Sequence, residues 1–367
     1  MTAYLLAGGG TAGHVNPLLA VADRLREREP DAVILVLGTA EGLESRLVPA
    51  RGYRLLTIER LPFPRRPGLA AVRFPARFAR AVRQTRGYLR EHGIDAVVGF
   101  GGYAAAPAYL AAQREGPPLV LHEANAKPGM ANRLGSRLTP WVGTAFRSAR
   151  LRGARFVGMP LRREVETLDR EAARAEGIRH FGLDEGRPTL LVTGGSLGAR
   201  RINETVSAAA PGIVGAGWQL LHLAGERAEP SPGAAGHSAG HRVVPYADRM
   251  ELALAVADLA VSRAGAATVS ELTALGIPAV YIPYPVGNGE QRFNAADAVA
   301  AGGAILVEDA EFTPEWVRTR LLPLLGDRAG LEAMGRAAAA IGVLDGTDRM
   351  TALIGDAVGA QPGSVGL

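Results

Sequence analysis

The chain has 367 residues, of which 47% are hydrophobic and 21% charged, with a formal net charge of +5 and no cysteine. This length favours two domains of average size, and no apolar stretch approaches the roughly 18 residues that cross a bilayer. The lack of cysteine excludes disulfides, thiolate metal sites and cysteine nucleophiles. The positive charge favours an anionic ligand or surface, but the arginines are dispersed and no RNA-binding signature is present, so nucleic acid is not expected.

The first residues predict a strand, a glycine turn and a helix. Residues 3–7 are apolar, Gly8 to His14 form the turn, and an amphipathic helix is predicted from about Pro17 to Arg28. No basic lead-in precedes the strand, so a signal peptide is not predicted and a cytoplasmic location is expected. Further strands are predicted at 33–37, 96–99, 119–121 and 142–145. This alternation indicates a parallel sheet covered by helices.

The opening pattern returns in the second half of the chain. After a pause near Gly158–Arg162, a strand at Thr189–Thr193 leads into a glycine turn at Gly194–Ala199 and a helix. Later strands are predicted near 219–223, 242–244, 258–261, 279–282 and 304–307, and a last helix at 347–358. The sequence therefore predicts an α/β fold of two Rossmann-like, doubly wound domains facing a cleft. Such sheets bind ligands beyond the carboxyl ends of their strands, so the active site is expected between the halves.

Three segments follow from this division. We predict an N-terminal domain over 1–160, a C-terminal domain over 161–345, and a terminal segment over 346–367. The terminal segment begins with a helix that is expected to pack back on the N-terminal domain, and ends in a tail.

The first glycine turn matches the dinucleotide fingerprint G-x-G-x-x-G at Gly8, Gly10 and Gly13. A Rossmann oxidoreductase also needs an acidic residue at the end of the second strand, and this strand ends in Leu37-Gly38-Thr39, which disfavours nicotinamide and flavin. His14 follows the turn, where an imidazole suits general-base chemistry. The alternative is an ordinary residue at a helix terminus.

Two motifs of the second half carry further candidates. Residues 263–271 follow a strand and open a helix; their small side chains leave amides accessible to a diphosphate, and Glu271 could accept both hydroxyls of a ribose. The alternative is a helix cap with a solvated glutamate. The polar loop at 282–294 could read sugar hydroxyls. No D-x-D pair occurs, so a bridging metal is not indicated, and Arg162 is the candidate to stabilise a leaving diphosphate.

Taken together, six motifs resemble the MurG family, and they occur in the family's order over nearly the whole chain. They are GGGTAGHVNP at 8–17, Gly101-Gly102-Tyr103, His122-Glu123-Ala124-Asn125, Gly194 to Ala199, Arg263 to Glu271 and Gly289 to Asn294. Three positions differ from the usual pattern: Ala12 replaces a glycine, Leu197 a glutamine and Met159 an asparagine.

This resemblance implies an enzyme, a metal-independent glycosyltransferase of the GT-B fold that needs no cofactor. The reaction would be inverting transfer of N-acetylglucosamine from UDP-N-acetylglucosamine to the muramoyl 4-hydroxyl of the undecaprenyl-pyrophosphoryl-linked muramoyl-pentapeptide, which converts lipid I to lipid II in peptidoglycan synthesis. The N-terminal domain would meet the acceptor and the membrane, and the C-terminal domain would bind the UDP-sugar.

The resemblance also implies roles for particular residues. His14 and Glu271 would be the catalytic residues, with His14 as the base and Glu271 on the ribose. The residues implied to contact the donor are Thr11, Ala12, Gly13, Asn125, Arg162, Ser196, Ala266, Ala267, Thr268, Val269, Ser270, Glu271 and Gln291.

A lipid-linked acceptor requires the enzyme to meet the bilayer without crossing it. Between Arg60 and Arg80, apolar residues alternate with cations, a pattern that favours association with anionic lipid. The alternative is an ordinary amphipathic helix packed on the sheet. We expect peripheral binding at the cytoplasmic face of the bacterial membrane, to anionic lipids of the inner leaflet. The predicted membrane patch consists of Leu61, Phe63, Arg65, Arg66, Phe74 and Arg77.

Other functions stay open at this point. Within the fold, the alternatives are a lipid or natural-product glycosyltransferase and a UDP-N-acetylglucosamine epimerase. Outside it, the chain could be a nucleotide-binding protein without catalysis, or an oxidoreductase.

Overall fold

The computed structural model describes residues 1–64, 68–195, 198–225, 240–286 and 288–360. The chain divides into two units, one of Met1–Arg162 with the segment from Asp345 onward, the other of Arg163–Leu344. In each unit the described residues form one parallel sheet, which is flanked by helices. No helix within the described ranges is long and apolar enough to cross a membrane.

The elements follow one another in a regular alternation. The strands of the first unit are β1 (Ala3–Gly8), β2 (Val33–Gly38), β3 (Arg54–Thr57), β4 (Ala96–Gly101), β5 (Leu119–Glu123), β6 (Trp141–Thr144) and β7 (Ala154–Phe156). Those of the second unit are β8 (Thr189–Thr193), β9 (Gln219–Leu223), β10 (His241–Val244), β11 (Leu259–Ser262), β12 (Ala279–Tyr281) and β13 (Ala304–Leu306).

The helices, in chain order, are α1 (Ala12–Arg28), α2 (Glu44–Ala50), α3 (Leu69–Glu91), α4 (Ala105–Glu115), α5 (Met130–Gly135), α6 (Arg163–Glu166), α7 (Arg170–Phe181), α8 (Arg200–Gly215), α9 (Met250–Val256), α10 (Ala266–Ala274), α11 (Glu290–Ala300), α12 (Pro314–Trp316), α13 (Leu322–Gly326), α14 (Arg328–Ile341) and α15 (Gly346–Gly359). A π-helical turn at Val317–Leu321 joins α12 to α13.

The first sheet has the strand order β3-β2-β1-β4-β5-β6-β7. Alternate residues of β1 belong to different cores, with Leu5 packed among residues of α4 and Leu6 among residues of α1, because a strand covered on both faces buries both sets of side chains. The edge strands β3 and β7 were not predicted from the sequence. Both are short, and both carry an exposed arginine, Arg54 and Arg155, in place of a continuous apolar run.

Helix α1 begins earlier than the sequence predicts, at Ala12 and not near Pro17. The backbone amides of His14 and Val15 both donate to the Thr11 carbonyl at 3.1 Å, which closes the first helical turn before the proline is reached. His14 is therefore a residue of the first turn of α1, and the glycine loop is correspondingly shorter.

The last helix, α15, lies in the first unit. Met350, Leu353 and Ile354 are buried with residues of α1 and β1. Asp348 forms ion pairs with Arg24 and Arg28 of α1. The chain thus returns to the first unit after completing the second.

The second unit repeats the arrangement with the strand order β10-β9-β8-β11-β12-β13. Its core lies where α8 and the segment 317–325 cover the sheet, around Ile202, Val261 and Phe312. In both units the strand order reverses beside the first strand, between β1 and β4 and between β8 and β11. Loops at such a reversal point have room to bind a ligand.

Candidate active site

The loops that follow β1 and β4 touch each other through their backbones. Gly102 has a φ of +87°, and a Cβ at this position would lie 2.3 Å from the Gly9 carbonyl oxygen. Both the left-handed conformation and the close approach require glycine at this position. Gly102 therefore lets the loop after β4 pack against Gly9 of the first glycine turn at the carboxyl edge of the sheet.

A buried carboxylate lies beneath the first loop. Glu44, the first residue of α2, is fully buried and accepts hydrogen bonds from the Gly10 amide at 2.8 Å, the Thr39 amide at 2.9 Å and the Thr39 hydroxyl at 2.9 Å. A Cβ on Gly9 or Gly42 would lie within 2.3 Å of this carboxylate. Burial raises the pKa of Glu44, but the hydrogen bonds outweigh it, so its pKa lies below the usual value.

Glu44 was not found from the sequence. The dinucleotide fingerprint requires an acidic residue at the end of β2, where Gly38 and Thr39 stand. The carboxylate instead comes from a residue five positions beyond Thr39 that points back toward the strand. Gly38 and Gly42, which both precede Glu44 in the sequence, and Gly9 of the first loop lie against its side chain, and this grouping becomes visible only when the fold brings them together.

His14 lies half-buried at the start of α1, against the same two loops. Its Nδ1 is 3.2 Å from the Gly9 carbonyl oxygen and 3.3 Å from the Thr11 hydroxyl. Its Nε2 is 3.2 Å from the point that a Cβ on Gly101 would occupy. Because a carbonyl oxygen can only accept, the contact with Gly9 favours the tautomer with the proton on Nδ1, in which Nε2 carries the free lone pair. The predicted donor contacts Thr11, Ala12 and Gly13 lie beside this ring.

A second buried carboxylate organises the loop after β5. Glu123 accepts from the Asn125 amide at 2.9 Å, the Gly129 amide at 3.0 Å and the Asn132 side chain at 3.0 Å. Asn132 in turn accepts from the Tyr109 hydroxyl at 2.6 Å. The predicted donor contact Asn125 is therefore held at its backbone, and its side chain is only half-buried.

The neighbouring His122 is fully buried and is a structural residue. Its Nε2 lies 3.0 Å from the Gly158 carbonyl oxygen, and burial lowers its pKa to about 4, so the ring is neutral at physiological pH. Met159, one of the three positions that differ from the usual family pattern, is buried in the core of the first unit. A methionine there fills space between buried side chains. Arg162 follows at the end of this segment and is half-buried.

In the second unit, the loop after β11 leads into the N-terminus of α10. The N-cap Gly265 is extended and provides no side-chain cap for the first amides of the helix, which suits them to an anionic ligand. Thr268, Ser270 and Glu271 are partly exposed, as is Ala267. Ala266 and Val269 are buried, and the Val269 amide donates to the Gly265 carbonyl at 2.9 Å, so the side chains of these two predicted donor contacts do not line a surface.

Arg263 holds the loop that precedes α11. Its guanidinium donates to the carbonyls of Ile282 and Pro283, each at 3.1 Å, and pairs with Asp309 at 2.6 Å. The Tyr284 amide donates to the Gln291 side-chain oxygen at 2.9 Å, so this predicted sugar contact also fixes the loop. The sequence placed Arg263 in a ligand-binding motif, whereas its hydrogen bonds show that it organises the neighbouring loop.

The glycine turn after β8 is partly described. The predicted donor contact Ser196 and its neighbour Leu197 lie outside the described residues. Gly198 packs against the Ala224 carbonyl, where a Cβ would lie 2.2 Å from the oxygen. The Asn203 side chain donates to the same carbonyl at 2.8 Å, which fixes the wall of this turn.

The predicted membrane patch is only partly a surface. Leu61 is 5% exposed and belongs to the core beside β1, and Phe74, in the second turn of α3, packs against that core. Phe63 is 56% exposed and contacts the Phe74 ring edge-on at 5.5 Å. Arg77 pairs with Glu59 at 2.8 Å. Arg65 and Arg66 lie outside the described residues.

Two residues that the predicted patch did not contain are more exposed than Phe63. Leu69 is 63% and Val72 is 76% exposed, both in the first turn of α3. The apolar surface of this region therefore consists of Phe63, Leu69 and Val72, which we call the α3 apolar surface. Among the described residues, no cluster of three or more histidine, aspartate or glutamate side chains is arranged to hold a metal ion.

Comparison with known proteins finds a matching family domain in each of the two units. Residues 4–143 match the glycosyltransferase family 28 N-terminal domain, and residues 189–350 match the glycosyltransferase family 28 C-terminal domain. A protein of Leifsonia xyli subsp. xyli is 65% identical over 96% of this chain and 98% of its own length. One of Streptomyces avermitilis is 50% identical over 97% of this chain and 99% of its own. Both are named UDP-N-acetylglucosamine--N-acetylmuramyl-(pentapeptide) pyrophosphoryl-undecaprenol N-acetylglucosamine transferase.

Solved structures agree on the fold. The crystal structure of Acinetobacter baumannii MurG covers 97% of this chain and all of its own, with a TM-score of 0.80 and 28% identity. A UDP-GlcNAc 2-epimerase from Neisseria meningitidis shares the fold, with a TM-score of 0.69 at 14% identity over 97% of this chain.

Two Rossmann-like units with these loops define a glycosyltransferase of the GT-B fold. Two relatives are more than 60% identical to this chain over nearly the full length of both sequences, which identifies the family within this class. The chain belongs to the MurG family of glycosyltransferases.

Proposed function

We propose that the chain transfers N-acetylglucosamine from UDP-N-acetylglucosamine to the muramoyl 4-hydroxyl of the undecaprenyl-pyrophosphoryl-linked pentapeptide, converting lipid I to lipid II with inversion at the anomeric carbon. Membership of the MurG family over both units carries this proposal. The first unit takes the acceptor and the second takes the donor.

For the donor, the first amides of α10 bind the diphosphate and Glu271 accepts the two ribose hydroxyls. The uncapped N-terminus of α10 supports this role, because its amides and dipole favour negative charge. Gln291 contacts the sugar hydroxyls through its amide nitrogen, since its oxygen holds the Tyr284 amide. Asn125, Arg162 and Ser196 complete the donor contacts that we propose.

For the acceptor, His14 is the general base. Nε2 takes the proton of the 4-hydroxyl while the oxygen attacks the anomeric carbon and the bond to the diphosphate breaks, so that UDP leaves with the electron pair. The position of Nδ1 against the Gly9 carbonyl supports this role, because it leaves Nε2 unprotonated. Helix amides and Arg162 stabilise the charge that develops on the leaving diphosphate.

The α3 apolar surface, together with the arginines around it, binds the bilayer surface. Exposed apolar side chains next to cations favour an anionic leaflet, and the location proposed is peripheral, at the cytoplasmic face of the membrane. No nucleic acid partner is proposed. Replacing Phe63, Leu69 and Val72 with serine should weaken binding to vesicles containing anionic lipid, whereas the same change at the exposed Val33 should not. Equal binding by both variants would contradict this surface.

The reaction is tested with radiolabelled UDP-N-acetylglucosamine and a short-chain prenyl analogue of the muramoyl-pentapeptide acceptor, in the presence of chelator. Labelled lipid product is expected, and a His14→Gln variant should form it about 10²- to 10⁴-fold more slowly, the usual contribution of a general base. If UDP binds but no label is transferred, the acceptor assignment is wrong.

A further inference from the structure

The buried Glu44 and the proposed base His14 contact the same peptide group. The amide of Gly10 donates to Glu44 Oε2 at 2.8 Å, and the carbonyl of Gly9 lies 3.2 Å from His14 Nδ1. These two atoms belong to one peptide plane, the Gly9–Gly10 peptide. In a trans peptide the N–H and C=O point in opposite directions within the plane, so the carboxylate and the imidazole contact opposite edges of this peptide.

We propose that Glu44 is a positioning residue for His14, and that it acts through the Gly9–Gly10 peptide. The inference rests on the proposed function, in which His14 is the base. The carboxylate fixes the orientation of the peptide and polarises it, so that the Gly9 carbonyl becomes a stronger acceptor for Nδ1–H. Hydrogen bonds in such a chain strengthen one another in a buried setting.

The peptide decides the tautomer of His14. The Thr11 hydroxyl, 3.3 Å from Nδ1, is compatible with either tautomer because a hydroxyl both donates and accepts. The Gly9 carbonyl accepts only, so it selects the form with Nδ1 protonated and Nε2 free for the acceptor hydroxyl. A carboxylate bonded directly to Nδ1 would do the same, and here a peptide group stands between the two.

The surroundings of Glu44 fit this role better than a general part in packing. Its oxygens accept three hydrogen bonds, and one of these is donated by Gly10, in the loop that contacts His14. Gly9, Gly38 and Gly42 all lack the side chain that would occupy the space of the carboxylate. The Gly10 amide is thereby committed to an internal anion and is not free to bind a phosphate.

The test compares Glu44→Gln with Asp95→Asn. Asp95 accepts the Ala3 amide at 2.8 Å at the opposite, amino end of β1, so its variant makes the same chemical change away from the loop. Two experiments are made: the transfer assay gives kcat and KM, and the ¹⁵N shifts of histidine-labelled protein give the tautomer of His14, assigned by the signal missing in His14→Gln.

Glu44→Gln should lower kcat about 10- to 100-fold, a part of what a general base contributes. It should leave the KM for UDP-N-acetylglucosamine within about twofold, and it should reduce the Nδ1–H tautomer. In a His14→Gln background it should cause no further loss of kcat, because a residue that acts through His14 has nothing left to position. Asp95→Asn should change neither the kinetic constants nor the tautomer of His14.

Glu44→Asp provides a second variant should the glutamine disturb folding. It keeps the charge but shortens the side chain, which withdraws the oxygen from Gly10, and the same loss of the Nδ1–H tautomer is expected. If the Glu44 variants keep both the tautomer and kcat while His14→Gln is inactive, the positioning role is overturned and the base stands. If His14→Gln keeps the wild-type kcat, the base itself is wrong and the inference falls with it.

Discussion

Replacing Gly102 with alanine tests the close approach of the two loops in the first unit. The new Cβ would lie 2.3 Å from the Gly9 carbonyl oxygen, and the residue would have to keep a φ of +87°. A left-handed conformation costs a non-glycine residue about 1–2 kcal/mol, and overpacking against atoms that cannot move costs about 1–3 kcal/mol more. We therefore expect the free energy of unfolding to fall by roughly 2–5 kcal/mol.

The matched control is Gly87→Ala in α3, where an added Cβ meets nothing within 4 Å. Alanine there should stabilise the helix by about 0.5–1 kcal/mol, so the two substitutions are expected to act in opposite directions. Denaturant unfolding measures both. Because relief of the clash would move the Gly9 carbonyl away from His14, kcat should also fall in Gly102→Ala. If the free energy of unfolding of Gly102→Ala lies within about 0.5 kcal/mol of wild type, the usual range of a neutral surface change, the predicted clash with the Gly9 carbonyl is contradicted.

Three further predictions concern other residues. His122 stays neutral in the folded protein because burial lowers its pKa to about 4, whereas the unfolded chain takes up the proton near pH 6.5. The free energy of unfolding should therefore fall by roughly 3 kcal/mol as pH drops from 6.5 toward 4. Denaturation of His122→Gln across this range should show a weaker dependence of stability on pH. Glu271→Gln should raise the KM for UDP-N-acetylglucosamine about 10- to 100-fold, since a hydrogen bond to a charged group contributes about 1.5–3 kcal/mol; an unchanged KM in steady-state kinetics would remove Glu271 from the ribose. Arg263→Met should loosen the loop at Ile282 and Pro283 and also raise this KM, because it removes the nitrogen that donates to both carbonyls and pairs with Asp309; identical donor binding by calorimetry would contradict that.

The sequence predicted the central strands well, because strands buried on both faces read as continuous apolar runs. Leu5 and Leu6 on β1, and Leu190 and Leu191 on β8, show this pattern. The edge strands β3 and β7 lack it and were missed. The predicted start of α1 was wrong because Pro17 was taken as the beginning of the helix. In the structure Pro17 lies inside α1, after the first helical turn has formed.

Candidate site residues were harder to place, because their roles depend on contacts between distant segments. His14 could be recognised by its position after a glycine turn. Glu44 could not, since its partners Gly10 and Thr39 come together only in the folded chain. Leu61 was assigned to the membrane patch because the sequence does not report which side of an element faces a core, and it is buried.

The chemical structure of the product tests the proposed transfer reaction most directly. The short-chain acceptor is incubated with UDP-N-acetylglucosamine and the purified chain, and the new linkage is determined by NMR from its anomeric coupling and its connectivity to the muramoyl ring. We predict a β linkage to the 4-hydroxyl of the muramoyl residue, because the donor is an α-glycoside and attack inverts the configuration at the anomeric carbon. An α linkage, or sugar on another hydroxyl, would contradict the proposed reaction.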